Sequence, residues 1–147
     1  MANLNSITGI YPEGQGHLQQ YNIFSVANLS SSAGSYIHMK TNVGHASYNM
    51  VMIEAVGYNY GTSSPIRCAW NMYAYSYQIS NVQNSTYNGM AANSVYISSD
   101  NYYVIVGSAS SLYYCGFTLN TYNTAGNGYG HATTIISSVQ SSSSTYY

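Results

Sequence analysis

The ionisable side chains are the first candidates for chemistry, and this chain carries few of them. Its 147 residues include two Lys or Arg, three Asp or Glu, and four His. The carboxylates are Glu13, Glu54 and Asp100, and Glu54 alone falls in an apolar, strand-like run. A glycosidase needs two carboxylates facing each other across the substrate. The sequence therefore predicts no catalytic residues and no enzymatic activity.

The four histidines, His17, His38, His45 and His131, are scattered along the chain. Metal sites are specific when ligands recur at close spacings such as i, i+2 or i, i+4. None of these spacings occurs, so we expect no metal and no cofactor. His38 and Lys40 share one face of a strand-like run, and an ordinary hydrogen-bonded histidine is favoured there over a ligand.

Glu54 is the most informative of the charged residues. A carboxylate on a core strand needs a cation or full hydrogen bonding, because desolvation costs several kcal/mol per ion. The guanidinium of Arg67 can satisfy both oxygens of one carboxylate. The sequence predicts a structural ion pair of Glu54 with Arg67, with Lys40, or with both.

Aromatic side chains offer a possible binding surface in the run Cys68–Ile79. Tyr73, Tyr75 and Tyr77 recur at period two, which places them on one face of a strand, with Trp70 on the other. Stacked aromatics can hold sugar rings through their apolar faces and hydroxyls. Packing in a subunit interface or on the surface is favoured, and glycan recognition remains open.

The composition limits the class of protein. Hydrophobic residues make up 46% of the chain, there are 19 Tyr, and 3% of residues are charged, against about a quarter in typical soluble domains. Many aromatics and little charge argue against disorder, and two cations cannot neutralise a phosphate track, so nucleic acid is excluded as a partner. A surface rich in Tyr, Ser, Asn and Gly is typical of binding faces. It would also suit a chain covered by copies of itself, so we expect a homo-oligomer.

Two cysteines, Cys68 and Cys115, are too few for a disulfide framework. Buried free thiols are favoured, and a single inter-strand disulfide stays open. Residues 1–6 lack the features of a secretory signal, and no run approaches the ~18 apolar residues of a membrane span. We expect assembly in a cytoplasm and no membrane insertion.

The pattern along the chain predicts an all-β fold, a single β-sandwich or jelly-roll-like domain over residues 17–147, with an N-terminal arm over residues 1–16. Tyr36–Val43, Tyr48–Tyr58 and a third run from Ile66 are expected to form a core meander. Apolar residues on both faces of Tyr48–Tyr58 predict a central strand covered on both sides. About eight short strands are expected: the third run continues through Cys68–Ile79, and the others are His17–Leu29 with a bulge near residue 23, Ser94–Ser98, Tyr102–Val106, Leu112–Leu119 and Ala132–Val139. Tyr102–Val106 is predicted to pair with Ser94–Ser98 as a hairpin, and Ser141–Tyr147 is predicted to form a polar tail.

Five segments suggest a family when taken in order: YIHMKTNV, MVMIEAVGYNYG, PIRCAWNMYAYS, SSDNYYVIV and YYCGFTLNTYNTAGNG. Over roughly Tyr36 to Thr134 the chain resembles a short β-domain of virion proteins of tailed bacteriophages, particularly those of aquatic and cyanobacterial hosts. In that family the domain often forms the C-terminal tip of tail fibres and is expected to be trimeric.

The resemblance implies a non-enzymatic virion structural protein that contacts itself and other virion proteins such as capsid or tail. The match begins at Tyr36, without a repetitive shaft ahead of it, which favours a head decoration (cement) protein or a small fibre or knob subunit. The alternative is a carbohydrate-binding adhesin that recognises host-surface glycans.

Overall fold

The computed structural model describes residues 18–26, 34–44, 50–73, 82–83, 89–123 and 135–147, and these form two antiparallel β-sheets packed as a sandwich. The predicted all-β class is confirmed. The arm over residues 1–16 lies outside the described residues, so that prediction stays open.

Nine strands are found in the described part of the chain. They are β1 Leu18–Val26, β2 Tyr36–Gly44, β3 Met50–Asn59, β4 Ser64–Tyr73, β5 Val82–Gln83, β6 Ala91–Ile97, β7 Tyr102–Ser108, β8 Cys115–Asn123 and β9 Ile135–Gln140. The first sheet has the order β1-β8-β3-β4-β5 and the second has the order β6-β7-β2-β9. A 3₁₀ turn, Tyr60–Thr62, links β3 to β4.

The core lies between the sheets and is built from alternate residues of each strand. Trp70 of β4 is fully buried and packs with Ile53 of β3 and Ile105 of β7 in one cluster. Its indole Nε1 donates a hydrogen bond to the carbonyl oxygen of Val106 at 3.0 Å. This bond joins the two sheets across the apolar layer.

The predicted core meander is wrong, because the first two runs belong to different sheets. β2 pairs with β7 and β9, whereas β3 pairs with β4 and β8. Each strand has an apolar face that must be buried, and here Met39 and Ile53 point into the core from opposite sheets. The two strands therefore belong to opposite layers of the sandwich. Only the β3–β4 half of the meander is present.

β3 is central, as predicted, but the described residues cover it on one side only. Ile53 and Ala55 point into the core, while Met52, Glu54 and Val56 point outward. Val56 is 40% exposed in the middle of the sheet. The predicted second layer over β3 is absent from the described residues.

Several local predictions hold. The pairing of β1 with β8 is irregular between Gln20 and Phe24, where the sequence predicts a bulge. β6 and β7 pair as a hairpin. Cys68 and Cys115 are free and buried. Burial raises the pKa of the Cys68 thiol to about 12 and that of Cys115 to about 11, so both are protonated at neutral pH.

Residues 141–147, called the strap below, cross the outer side of the four-stranded sheet. Nε2 of His38 lies 2.9 Å from the carbonyl oxygen of Ser142, and the amides of Tyr146 and Tyr147 donate to the hydroxyl of Tyr96. His38 is fully buried although it points away from the core. The segment predicted as a polar tail is thus docked on the domain.

Candidate functional site

Among the described residues, one ion pair is found, and it joins Lys40 to Asp100. Their Nζ and Oδ2 atoms lie 2.5 Å apart, and the hydroxyl of Ser98 donates to Oδ1 of the same carboxylate at 2.6 Å. The hydrogen bonds from Lys40 and Ser98 lower the pKa of Asp100 below its usual value. The predicted pairing of Lys40 with Glu54 is wrong, because β2 and β3 lie in opposite sheets and these two side chains point away from each other.

A shallow cavity of about 240 Å³ opens beside this pair and is lined by Lys40, Asn42, Asp100, Tyr102 and Ile136, among others. The ammonium of Lys40 lies 5.6 Å from the ring centroid of Tyr102. The Lys40 ammonium and the Asp100 carboxylate neutralise each other, so the cavity presents no net charge to a ligand.

Glu54 is held by neutral donors. Its Oε1 accepts a hydrogen bond from the hydroxyl of Tyr122 at 2.8 Å and one from the amide of Asn120 at 3.2 Å. Arg67 lies opposite Val56, one diagonal step from Glu54 on the same face, and it is exposed. No ion pair joins them, so the predicted Glu54–Arg67 pair is wrong as well. The sequence could not reveal the neutral donors, because they lie on β8, far from Glu54 along the chain.

We call the outward side of the five-stranded sheet the open face. It is mostly uncharged, and its exposed apolar groups include Val56, Tyr58 and Tyr73, with exposed fractions of 40, 50 and 40%. Among the described residues its charges are one carboxylate and one guanidinium. From the strand pairings its members include Ser25, Met52, Glu54, Val56, Tyr58, Arg67, Ala69, Asn71, Tyr73, Thr118, Asn120 and Tyr122.

The predicted aromatic surface is partly corrected. Trp70 and Tyr73 lie on opposite sides of β4, as period two requires. Trp70 is buried and bonded to Val106, so it cannot contact a glycan or a second subunit. Tyr73 belongs to the open face, and Tyr75 and Tyr77 lie outside the described residues.

Sequence reasoning missed a second group of tyrosines at one end of the sandwich. Tyr60 follows β3, and Tyr113 and Tyr114 precede β8. We call these three residues the end cluster. The ring centroids of Tyr113 and Tyr114 lie 4.3 Å apart. The Tyr60 centroid lies 6.0 Å from that of Tyr113 and 6.1 Å from that of Tyr114. Two features of the sequence could have indicated this cluster: Tyr60 beside Gly61 in a turn, and the pair Tyr113-Tyr114. The pair was instead assigned to the predicted strand Leu112–Leu119.

Buried Asn59 fixes the two loops that carry the end cluster. Its side-chain amide donates to the carbonyls of Gly89 and Ser111, each at 2.6 Å. Its carbonyl oxygen accepts from the amide of Gly61 at 3.0 Å, and that amide also lies 2.9 Å from the carbonyl of Tyr113. The two loops are thus bonded to each other and to the body of the domain.

The backbone at Tyr114 is unusual. Residues Leu112 to Cys115 form a turn closed by the Cys115 amide and the Leu112 carbonyl at 3.3 Å, and Tyr114 stands at its third position with φ of 46°. That conformation suits Gly or Asn, and it costs a bulky residue about 1–2 kcal/mol. Desolvation, with smaller effects from Tyr114 and Tyr60, raises the pKa of the Tyr113 hydroxyl above its ordinary value.

His38 is a structural residue, as expected from its position on a strand. The Ser142 carbonyl can only accept, so Nε2 carries the proton, and Nδ1 then accepts from the Tyr96 hydroxyl at 3.0 Å. No group of three metal-ligating residues occurs in the described part of the chain. Within the same residues no helix has the length and apolar character needed to span a membrane.

Comparisons with known proteins add no identification: no family model, no curated protein and no solved structure matches this chain. The fold and surfaces define a class on their own. It is a two-sheet antiparallel β-sandwich with a docked strap, a tyrosine-rich end and one sheet face that the described residues leave uncovered.

Proposed function

We propose that this protein is a non-enzymatic structural subunit that associates with copies of itself through the open face. The proposed setting is a phage particle, with the subunit exposed as a head decoration protein or as a small fibre or knob. The observation that carries the proposal is the centre of the five-stranded sheet, which the described part of the chain leaves uncovered.

The uncovered residues are central in the sheet. Met52 and Val56 lie on β3, which has β8 on one side and β4 on the other. Apolar groups in the middle of a sheet face normally receive a second layer, and a contiguous exposed patch of this kind marks an interaction surface. A second layer from another subunit would supply the cover that the sequence predicts for β3.

Charge on the open face favours a second copy over an unrelated partner. Glu54 and Arg67 are neighbours of opposite sign that form no ion pair with each other within the subunit. Where the open faces of three copies meet around a common axis, Glu54 of each copy can meet Arg67 of the next. Such a repeated contact suits cyclic association, and the pair would fix orientation more than affinity.

The phage setting and the number three rest on a different support. The five sequence segments given above occur in order, and the all-β sandwich agrees with the β-domain that they imply. We therefore propose a trimer and contacts with other virion proteins.

The test is a charge placed on the open face. Val56→Lys should shift the assembled protein toward monomers, because burying a lysine at the centre of an apolar contact is costly. Ile136→Lys is the matched control, since Ile136 is also β-branched, also on a strand and 52% exposed, but lies on the other sheet. Size-exclusion chromatography with light scattering at micromolar concentration gives the mass of each. Equal masses for both variants and the parent would contradict the open face as the interface.

A further inference from the structure

We infer that the end cluster is a binding site for a neutral carbohydrate, a site separate from the open face and independent of the proposed self-association. The chain would hold one hexopyranose unit of a surface polysaccharide against the rings of Tyr60, Tyr113 and Tyr114. Four observations lead to this assignment.

The first is the geometry of the rings. Tyr60 and Tyr114 are 58 and 48% exposed while their centroids stay within 6.1 Å of each other. The planes of the three rings are inclined to one another by 51 to 77°, so they present edges and faces in a shallow, uneven surface. Tyrosine rings pack against the C–H face of a sugar, and their hydroxyls donate to and accept from sugar hydroxyls.

The second is the absence of charge around the cluster in the sequence. Residues 58–66 and 107–123 contain no Asp, Glu, Lys or Arg, and are rich in Tyr, Ser, Gly and Asn. This is the composition of adaptable hydrogen-bonding surfaces that recognise ligands without charge. Leu112, the large aliphatic residue beside the cluster, is fully buried. A surface in which the described large side chains are phenols suits a sugar.

The third is the backbone of Tyr114. A turn with φ of 46° at its third position would be least strained with Gly, yet the sequence places a half-exposed aromatic residue there. Strain of this kind concentrates at ligand-binding positions. The ring of Tyr114 is therefore held outward in spite of the turn.

The fourth is the rigidity of the support. The three hydrogen bonds of buried Asn59, with the bond between Gly61 and Tyr113, fix both loops before any ligand arrives. A preorganised aromatic surface loses little conformational freedom on binding.

The experiment measures binding of the full chain to immobilised polysaccharides by biolayer interferometry. The probes are three neutral polymers, dextran, mannan and galactan, with alginate as an acidic comparison. The parent should bind at least one neutral polymer, and the matching free monosaccharide should compete. Tyr114→Gly and Tyr60→Ser should each weaken that binding by about tenfold or more.

Two features separate a binding role from a structural one. Tyr114→Gly removes the ring but suits the turn, so its thermal midpoint should stay within a few degrees of the parent value. Tyr146→Ser is the control, because Tyr146 is a similarly exposed tyrosine on the strap. This variant should bind the polymer as tightly as the parent does. If Tyr114→Gly fails to fold, Tyr60→Ser still tests whether the end cluster binds the sugar.

Several results would overturn the assignment. These are no binding of the parent to any neutral polymer, binding to alginate alone, or end-cluster variants that bind like the parent. Variants that change the mass of the assembly without changing sugar binding would instead assign the end cluster to contacts between copies.

Discussion

At Glu54 the structure replaces a charged partner with neutral ones. The carboxylate is half buried on the open face, and its Oε1 accepts from Tyr122 and Asn120. A carboxylate in this setting needs no cation, because solvent and two donors stabilise its charge.

Glu54→Gln should therefore cost about 1 kcal/mol or less in the free energy of unfolding of the monomer, since the glutamine carbonyl oxygen can still accept both hydrogen bonds. Chemical denaturation of the parent and the variant, at a concentration low enough that both are monomeric, measures the difference. Tyr122→Phe, which removes one donor, is the companion variant and should cost a similar amount. A loss of about 3 kcal/mol or more for Glu54→Gln would restore a buried ion pair as the correct description.

Prediction at the residue level succeeded where the alternation of side chains along a strand is enough to assign the face of a residue. It placed Trp70 and Tyr73 on opposite sides of β4, because alternate side chains must point in opposite directions. It could not find the partner of Lys40, because Asp100 lies 60 residues away and only the pairing of β2 with β7 brings the two together. It also could not show that Tyr114 would occupy a left-handed turn position, where propensity favours glycine.

Among the elements, the strap is joined to two strands through one shared hydroxyl. The Tyr96 oxygen lies 3.0 Å from Nδ1 of His38, 3.1 Å from the amide of Tyr146 and 3.3 Å from that of Tyr147. Tyr96 thus connects β6, β2 and the strap, and its hydroxyl satisfies a fully buried imidazole nitrogen.

Tyr96→Phe should cost about 1–3 kcal/mol, because it leaves that buried nitrogen without a partner. The amides of Tyr146 and Tyr147 should also exchange with solvent faster. Hydrogen exchange monitored by NMR tests both expectations at residue level. Tyr102→Phe is the matched control, since Tyr102 is exposed and contacts Lys40 through its ring. If the strap amides exchange at the parent rate in Tyr96→Phe, the hydroxyl does not hold the strap.

Element boundaries were predictable where turn residues mark them. The turn between β6 and β7 contains Asn101 with φ of 70°, a conformation that Asn tolerates well, and the predicted hairpin is present. The start of β8 was misplaced, because Leu112, Tyr113 and Tyr114 are apolar and aromatic enough to read as strand, although they form a turn. Docking of the strap left no signal, because Ser-rich segments are equally typical of free tails.

At the scale of the whole molecule, the sequence indicates two apolar layers but not which strands share one. Period two assigns a face to each residue and leaves the neighbouring strand undetermined, so the meander of β2, β3 and β4 was wrong while the sandwich was right. The apolar outward side of β3 was predicted to be buried. In the described residues it is not, and this mismatch is the basis for proposing that copies of the chain cover it.

The composition of the chain also predicts that copies of it associate. A chain with 3% charged residues and a net charge of −1 gains little solubility from its surface. Association through the open face would remove Val56, Tyr58 and Tyr73 from water. Apolar burial supplies the affinity in this account, and the Glu54–Arg67 contacts set the orientation.

Sedimentation equilibrium of the unmodified chain at micromolar concentration, at about 0.1 M and about 1 M salt, tests the central claim most directly. Exposed ion pairs are screened within about 10 Å at 0.1 M salt, whereas apolar burial is not weakened. The account predicts a mass three times the 16.0 kDa of the chain, unchanged or more tightly held at high salt. A stable monomer at both salt concentrations would contradict self-association, and an oligomer that dissociates at about 1 M salt would contradict its apolar origin.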